Sequence, residues 1–215
     1  NYAGNSCRQA LLKSYGLVAK KAQADKIVAA ADVFTTPDRA VPTQAAQVQN
    51  LILQGYDAIV INAASPTALN GAIKQACDAG IVVVSFDGIA TAPCAYRVVV
   101  DYKALGAQEI EQLAKLHPGG GNLLEIRGLA GTSIDETIHA GILAGLKAHP
   151  NFKIVRSVEG DWDQTTAQKA VTTVLPSMPE IVGVDDQGGD GYGAAQAFIS
   201  AHRPLPTIIM GNRQD

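Results

Sequence analysis

No run of like charge, no apolar stretch near the roughly 20 residues that span a bilayer, and no metal-ligand spacing occurs in this chain. The even spread of charge, with a formal net charge of −3, excludes the basic footprint of a nucleic-acid or anionic-membrane partner. Without a long apolar run, direct membrane insertion is not expected. CxxC, HExxH and Cys/His clusters are all missing, so neither a structural nor a catalytic zinc site, nor any other metal or cofactor, is expected. There is no GxSxG elbow, and His117, His139, His149 and His202 stand singly. The chain does not start with Met and shows no cleavable leader, so Asn1 is expected to be a processed or artificial start.

Cysteine is scarce as well, with three in the chain. Cys77 falls late in a helical pattern and Cys94 in the loop after the following strand. A helix end and such a loop can lie close together. A Cys77–Cys94 disulfide is one reading and would imply an oxidising compartment; two unpaired, partly buried small residues are the other. Cys7 has no evident partner.

What is present is an ordinary globular composition, 47% hydrophobic and 17% charged over 215 residues, enough for one large domain or two small ones. The stretch 51–88, LILQGYDAIVINAASPTALNGAIKQACDAGIVVVSFDG, organises the rest. Its two apolar runs, Ala58–Ile61 and residues 81–85, read as strands covered on both faces, with one helical pattern between them. Each run is followed by a polar side chain, Asn62 and Asp87. Ligands of open α/β sheets bind beyond the carboxyl ends of the strands, so these two groups mark a binding rim.

Ahead of that stretch, residues 6–22 repeat Leu11, Leu12, Tyr15, Val18, Ala19 and Ala22 at a helical period, and 26–34 (KIVAAADVF) reads as a strand. A proline-containing loop leads to a helix that Gly55 stops. Ser65 and Pro66 carry the start signals of a helix ending at Gly80. After Asp87 only about a dozen residues precede the next apolar run, too few for a covering helix. Alternation then resumes: helix 101–116, strand NLLEIRG, a helix over 132–148 opened by Ser133 and Glu136 as a capping box, strand KIVRSV, helix 163–175, strand IVGVDD, helix 190–201 and strand TIIMG. The expected architecture is α/β, two lobes with parallel sheets flanked by helices, 1–100 and 101–215, with a crossing near Val100 and a ligand cleft between the lobes.

The segments YAGNSCRQALLKS, QGYDAIVINAASPTALNGAIKQACDAGIVVVSFDG and GTSIDETIHAGILAGLKAHPNFKIVRSVEGDWDQTTAQKAV resemble periplasmic sugar-binding proteins of the ribose-binding type, the substrate receptors of ABC importers. The resemblance spans essentially the whole chain. Members of that family begin with a strand that would precede Asn1 and continue beyond Asp215, so a partial chain with both lobes incomplete is expected. A parallel sheet without its central strand would leave a gap and unpaired backbone groups.

The resemblance implies a set of ligand-binding residues. Asp87 matches the family's carboxylate that accepts ligand hydroxyls; its alternative reading is a turn former before Gly88. An Arg usually follows that Asp in the family, and Gly88 removes its donors here. Asn62 matches an amide of the preceding strand end, or else bonds locally within its loop. Trp162, the only Trp, falls on the aromatic position of the GDWD motif, where a ring stacks on sugar; core packing is the alternative. Asn5 and Arg8 open the first helix, where the family carries Asn followed by two aromatics. Cys7 and Arg8 occupy those two aromatic positions, so one aromatic wall is absent, and Arg8 reads alternatively as a solvated first-turn charge. Gln187 matches a polar residue of the second lobe, with Asp190 as alternate or as the N-cap of the next helix. Asn212 and Arg213 end the last strand, where they contact ligand or form a surface turn.

Asp161 and Asp163, which flank Trp162, more simply shape a turn and a helix cap than catalyse glycoside hydrolysis. GDGYG lacks the spacing of a nucleotide loop, and HPGGG reads as a turn. The resemblance thus implies a non-enzymatic receptor for a sugar, polyol or sugar-like molecule. It would act in the periplasm as a monomer with ABC importer membrane subunits as partners, closing on its ligand by hinge rotation. A LacI-type regulator's effector domain and a sugar-converting enzyme are the alternatives. Loss of the Arg after Asp87 and gain of Arg213 point away from ribose, toward a reduced or an acidic sugar.

Overall fold

A computed structural model of the chain describes residues 6–37 and 40–211, with side chains from Arg8 onward. It divides into two compact units, Asn1–Val99 and Val100–Asp215. The first unit holds α1 (Ser6–Ala24), α2 (Val41–Leu53), β1 (Ala58–Ile61), α3 (Asn70–Asp78), β2 (Val82–Phe86) and β3 (Tyr96–Val98). The strands pair in parallel in the order β1-β2-β3. Gly55 and Gly80, at φ 75° and 84°, each end a helix and turn the chain into a strand. At both, the glycine and the residue after it return backbone N–H groups to the last turn: Gly55 to Ile52, Tyr56 to Leu51, Gly80 to Cys77 and Ile81 to Ala76. Ile59, Ile61 and Val83 point into a core shared with Val48 of α2 and Leu69, Ile73 and Ala76 around α3.

Three expectations for this unit change. Residues 27–34 form no strand; Ile27 and Val33 stay exposed, because apolar alternation makes a face but a strand also needs a partner edge. An apolar cavity of about 590 Å³, lined by Leu11, Tyr15, Val28, Phe34, Val48 and Ile59, lies between these residues and β1. The strands are not covered on both faces either: Val60 and Val82 are 56% and 49% exposed while their neighbours Ile59 and Val83 are buried. Helix α3 starts only at Asn70; Ser65 Oγ accepts from Ala68 N at 3.2 Å and shapes a turn ahead of it.

The second unit holds α4 (Tyr102–Leu116), β4 (Gly121–Arg127), α5 (Ser133–Ala148), β5 (Phe152–Glu159), α6 (Gln164–Val174), a 3₁₀ turn (Leu175–Ser177), β6 (Gly183–Asp186), α7 (Gly191–Ser200) and β7 (Thr207–Met210). Its parallel sheet runs β5-β4-β6-β7. Leu124, Ile126 and Val184 face α6 and α7, whereas Leu123 faces α4 and α5. Helices α4 and α5 meet so closely that a Cβ on Gly106 or Gly141 would overlap the backbone oxygen of Ile138 or Lys103. Asp101 caps α4 and Asp163 caps α6, accepting from Ala104 N and Thr166 N at 2.9 and 2.8 Å. At α5 the cap is Thr132, one residue ahead of the expected Ser133.

Candidate functional site

Because β1 and β2 are parallel neighbours with Ile61 opposite Ser85, the residues that follow them emerge at one rim about 5 Å apart. Asn62 and Asp87 meet there: Asn62 Nδ2 donates to Asp87 Oδ2 at 2.7 Å. Arg8, in the first turn of α1, donates Nη1 to the same oxygen at 2.6 Å. The ion pair is partly shielded, with side-chain exposures of 12% for Arg8 and 25% for Asp87. Asp87 sits in the left-handed region at φ 57°, which Asp tolerates better than most residues. Gly88 lets the two strand ends approach: an added Cβ would lie 2.5 Å from Asn62 Oδ1 and 2.7 Å from the Ala63 carbonyl oxygen.

Arg8 is thus no solvated charge. It reaches Asp87 from α1, far away in the sequence. Gln44, which the sequence reading passed over, locks the rim from beneath. It is buried, its Nε2 donates to Asn62 O and its Oε1 accepts from Ala64 N, both at 2.8 Å. The one sign of it in the sequence is an amide on the apolar side of α2, beside Ala45 and Val48.

In the second unit the ends of β4, β5 and β6 also share a rim, and Trp162 lies on it. Asp161 and Trp162 both hold φ 55°. Two successive left-handed residues other than glycine cost roughly 1–2 kcal/mol each, strain of the kind held at functional sites. The indole is 8% exposed and packs against the backbone of two strand ends, since a Cβ on Gly128 or Gly188 would overlap or crowd its ring. Behind it, Arg127 holds Asp135 by two parallel bonds, Nε to Oδ1 at 2.8 Å and Nη2 to Oδ2 at 2.6 Å.

Gln187 does not open on this rim, contrary to expectation. It is fully buried, its Oε1 accepting from Gly128 N at 3.1 Å and its Nε2 donating to Asp135 O at 3.3 Å. The amide pins β6 to β4 because buried polar groups need partners and these are the nearest. Asp190 stands at the N-cap position of α7 without capping it through its side chain. Burial, with Asp190 beside it, pushes the Asp186 carboxyl well above the usual range. Asn5, Asn212 and Arg213 lie outside the described residues.

A further group of acids lies on the α4–α5 side of the second sheet. Burial pushes Glu109 up to about 7, and burial with the Glu109 carboxyl nearby pushes Asp185 well above its ordinary value. Glu125, also buried, accepts from Ser157 Oγ at 2.6 Å and lies 2.5 Å from His139 Nδ1. The serine meets the carboxylate rather than the imidazole, the wrong order for activating a nucleophile.

Two parallel α/β units, each with its chemistry at the carboxyl ends of strands, define a class, and the periplasmic binding protein domain family matches the chain over residues 2–213. The chain belongs to that family. Over 180 residues it is 32% identical to the xylitol-binding protein of Mycolicibacterium smegmatis, covering 82% of this chain and 52% of that protein. It is 28% identical over 166 residues to the ribose import binding protein of Salmonella typhimurium, covering 76% and 56%. The crystal structure of an ABC transporter solute binding protein from Thermobispora bispora superposes with a TM-score of 0.90 at 38% identity, covering 97% of this chain and 65% of that one. The chain spans about half the length of the xylitol- and ribose-binding relatives.

Proposed function

We propose that the chain is the ligand-binding part of a periplasmic receptor that captures a neutral sugar or polyol and delivers it to the membrane subunits of an ABC importer. Asp87 carries the reading. A hydroxyl both donates and accepts, so it is best met where an ionised acceptor stands beside strong donors. The Arg8–Asp87–Asn62 group, with its bonds of 2.6 and 2.7 Å, is such a place. Its two charges cancel locally, which favours a neutral polyhydroxyl ligand over a sugar acid. Trp162 is assigned to the C–H face of the ligand. The xylitol- and ribose-binding relatives support the same ligand class. Neither enzyme activity nor a nucleic-acid partner is proposed, and the receptor works as a monomer.

The test is titration with xylitol, D-ribose, D-allose and a pentonic acid, followed by the fluorescence of the single tryptophan and by calorimetry. A receptor of this kind binds one neutral member at about 1 μM, near −8 kcal/mol. Tighter binding of the acid, or ligand recovered chemically altered, would overturn the proposal.

A further inference from the structure

Between Asp87 and β3 the chain crosses residues 88–95 without regular structure, yet it is tied at Gly88 and Thr91 to the segment that follows Asn62, and at Ala90 to β2. Gly88 O accepts from Ala63 N at 2.8 Å, and Ala90 N donates to Ser85 Oγ at 2.9 Å. Thr91 donates twice to Pro66 O, from N at 2.7 Å and from Oγ1 at 2.9 Å. Asn70, the first residue of α3, donates Nδ2 to Thr91 Oγ1 at 2.8 Å. Ala90, Ala92 and Ala95 are buried in the unit's core. At its far end the loop is joined to α3 by a disulfide between Cys77 and Cys94. Helix α3 therefore grips this loop twice, through Asn70 at its start and through sulfur near its end.

We propose that the Cys77–Cys94 disulfide is a positioning element for ligand binding. By fixing the far end of loop 88–95 to α3 it holds the Asp87 carboxylate against Asn62 and Arg8, and a dithiol that reduces it weakens the hold on a polyhydroxyl ligand. The ligand half of this statement rests on the receptor reading above. Cys94 is exposed, whereas Cys77 is half-buried against the core, so an incoming thiolate reaches the Cys94 sulfur first. Attack there breaks the S–S bond, and Cys77 leaves as a thiolate that takes up a proton. The second thiol of the reductant then attacks its own sulfur in the mixed disulfide and releases Cys94. The dithiol ends as a disulfide, having supplied two electrons and two protons.

The experiment compares the wild type with the Cys77→Ser/Cys94→Ser double variant, each with and without Asp87→Asn, using xylitol and D-ribose in calorimetry and amide exchange without ligand. Binding weakens roughly threefold to tenfold in the double variant, and no further loss appears once Asp87→Asn is present. Exchange at Ala90 and Thr91 speeds up about tenfold beyond the acceleration that loss of the cross-link gives the core amides of Ile61 and Val83. An equal affinity loss in both backgrounds, or exchange at Ala90 and Thr91 accelerated no more than at Ile61 and Val83, overturns the proposal. If neither sugar binds the wild type, the receptor reading fails for those ligands. Exchange and the Asp87 carboxylate NMR shift then decide the positioning, which a shift unmoved by the double variant overturns.

Discussion

At Asp87 Oδ2 two donors converge on one acceptor, and that geometry makes quantitative claims. Removing the carboxylate leaves Arg8 and Asn62 facing each other with no shared acceptor, while a ligand hydroxyl loses a charge-assisted bond worth about 1.5–3 kcal/mol. Asp87→Ala should therefore weaken ligand binding by roughly 2–3 kcal/mol in calorimetry. The far-UV circular dichroism spectrum should stay that of the wild type, because the residue sits on a rim and not in a core. Arg8→Ala acts on the same contact from the other side and should lose affinity without additivity to Asp87→Ala, as expected for partners. At Trp162 the decisive neighbour is a glycine. Gly128→Ala would drive a methyl into the indole, so the fluorescence maximum should shift to the red as the ring is displaced toward water. A spectrum identical to the wild type would show that the ring does not rest on that glycine.

Elements differ in how readable they were. Most strands and helices of the second unit follow from their apolar period, and Asp101 and Asp163 announce their helices as caps. Residues 26–34 carried an equally good strand pattern and form none, because pairing depends on a neighbour that no local pattern contains. The sequence order also showed that Asn62 and Asp87 end adjacent runs, which places them on one rim. It could not show that Arg8 reaches Asp87 across 79 positions, nor that the Gln187 amide turns inward, since both depend on tertiary packing. Also hidden was the α4–β6 acid pair. Glu109 has a folded value of about 7 against an ordinary 4.5, so the folded state holds more protons than the unfolded state between those two values. The stability that Glu109 contributes is complete below about pH 4.5 and is lost as pH rises through about 7. The melting temperature of the second unit should fall from pH 5 to pH 8, and Glu109→Gln should flatten that fall. A rise over the same range would disprove the raised Glu109 value.

For the whole molecule, the two units close separate cores, and each carries its own chemical handle. The first is cross-linked between Cys77 and Cys94, 17 positions apart, a loop closure that stabilises by about 3 kcal/mol in the chain-entropy account. The second holds the buried Glu109–Asp185 pair and has no disulfide among its described residues. Scanning calorimetry should therefore separate what reduction and alkalinity do. Dithiothreitol at pH 6 lowers the transition of the first unit and leaves the second in place, because the bond removed constrains only the unfolded chain of the first. Oxidised protein at pH 8 shows the reverse, since the carboxyls with raised values, Glu109 among them, belong to the second unit. A saturating neutral polyol adds a third signature. At one hundred times its dissociation constant it raises stability by about 2.7 kcal/mol, and Asp87→Ala cuts that gain to below about 1 kcal/mol without touching the pH response. A single transition that moves equally with dithiol, with pH and with polyol would mean that the units do not unfold as separate cores, and the separate roles assigned to them would have to be given up.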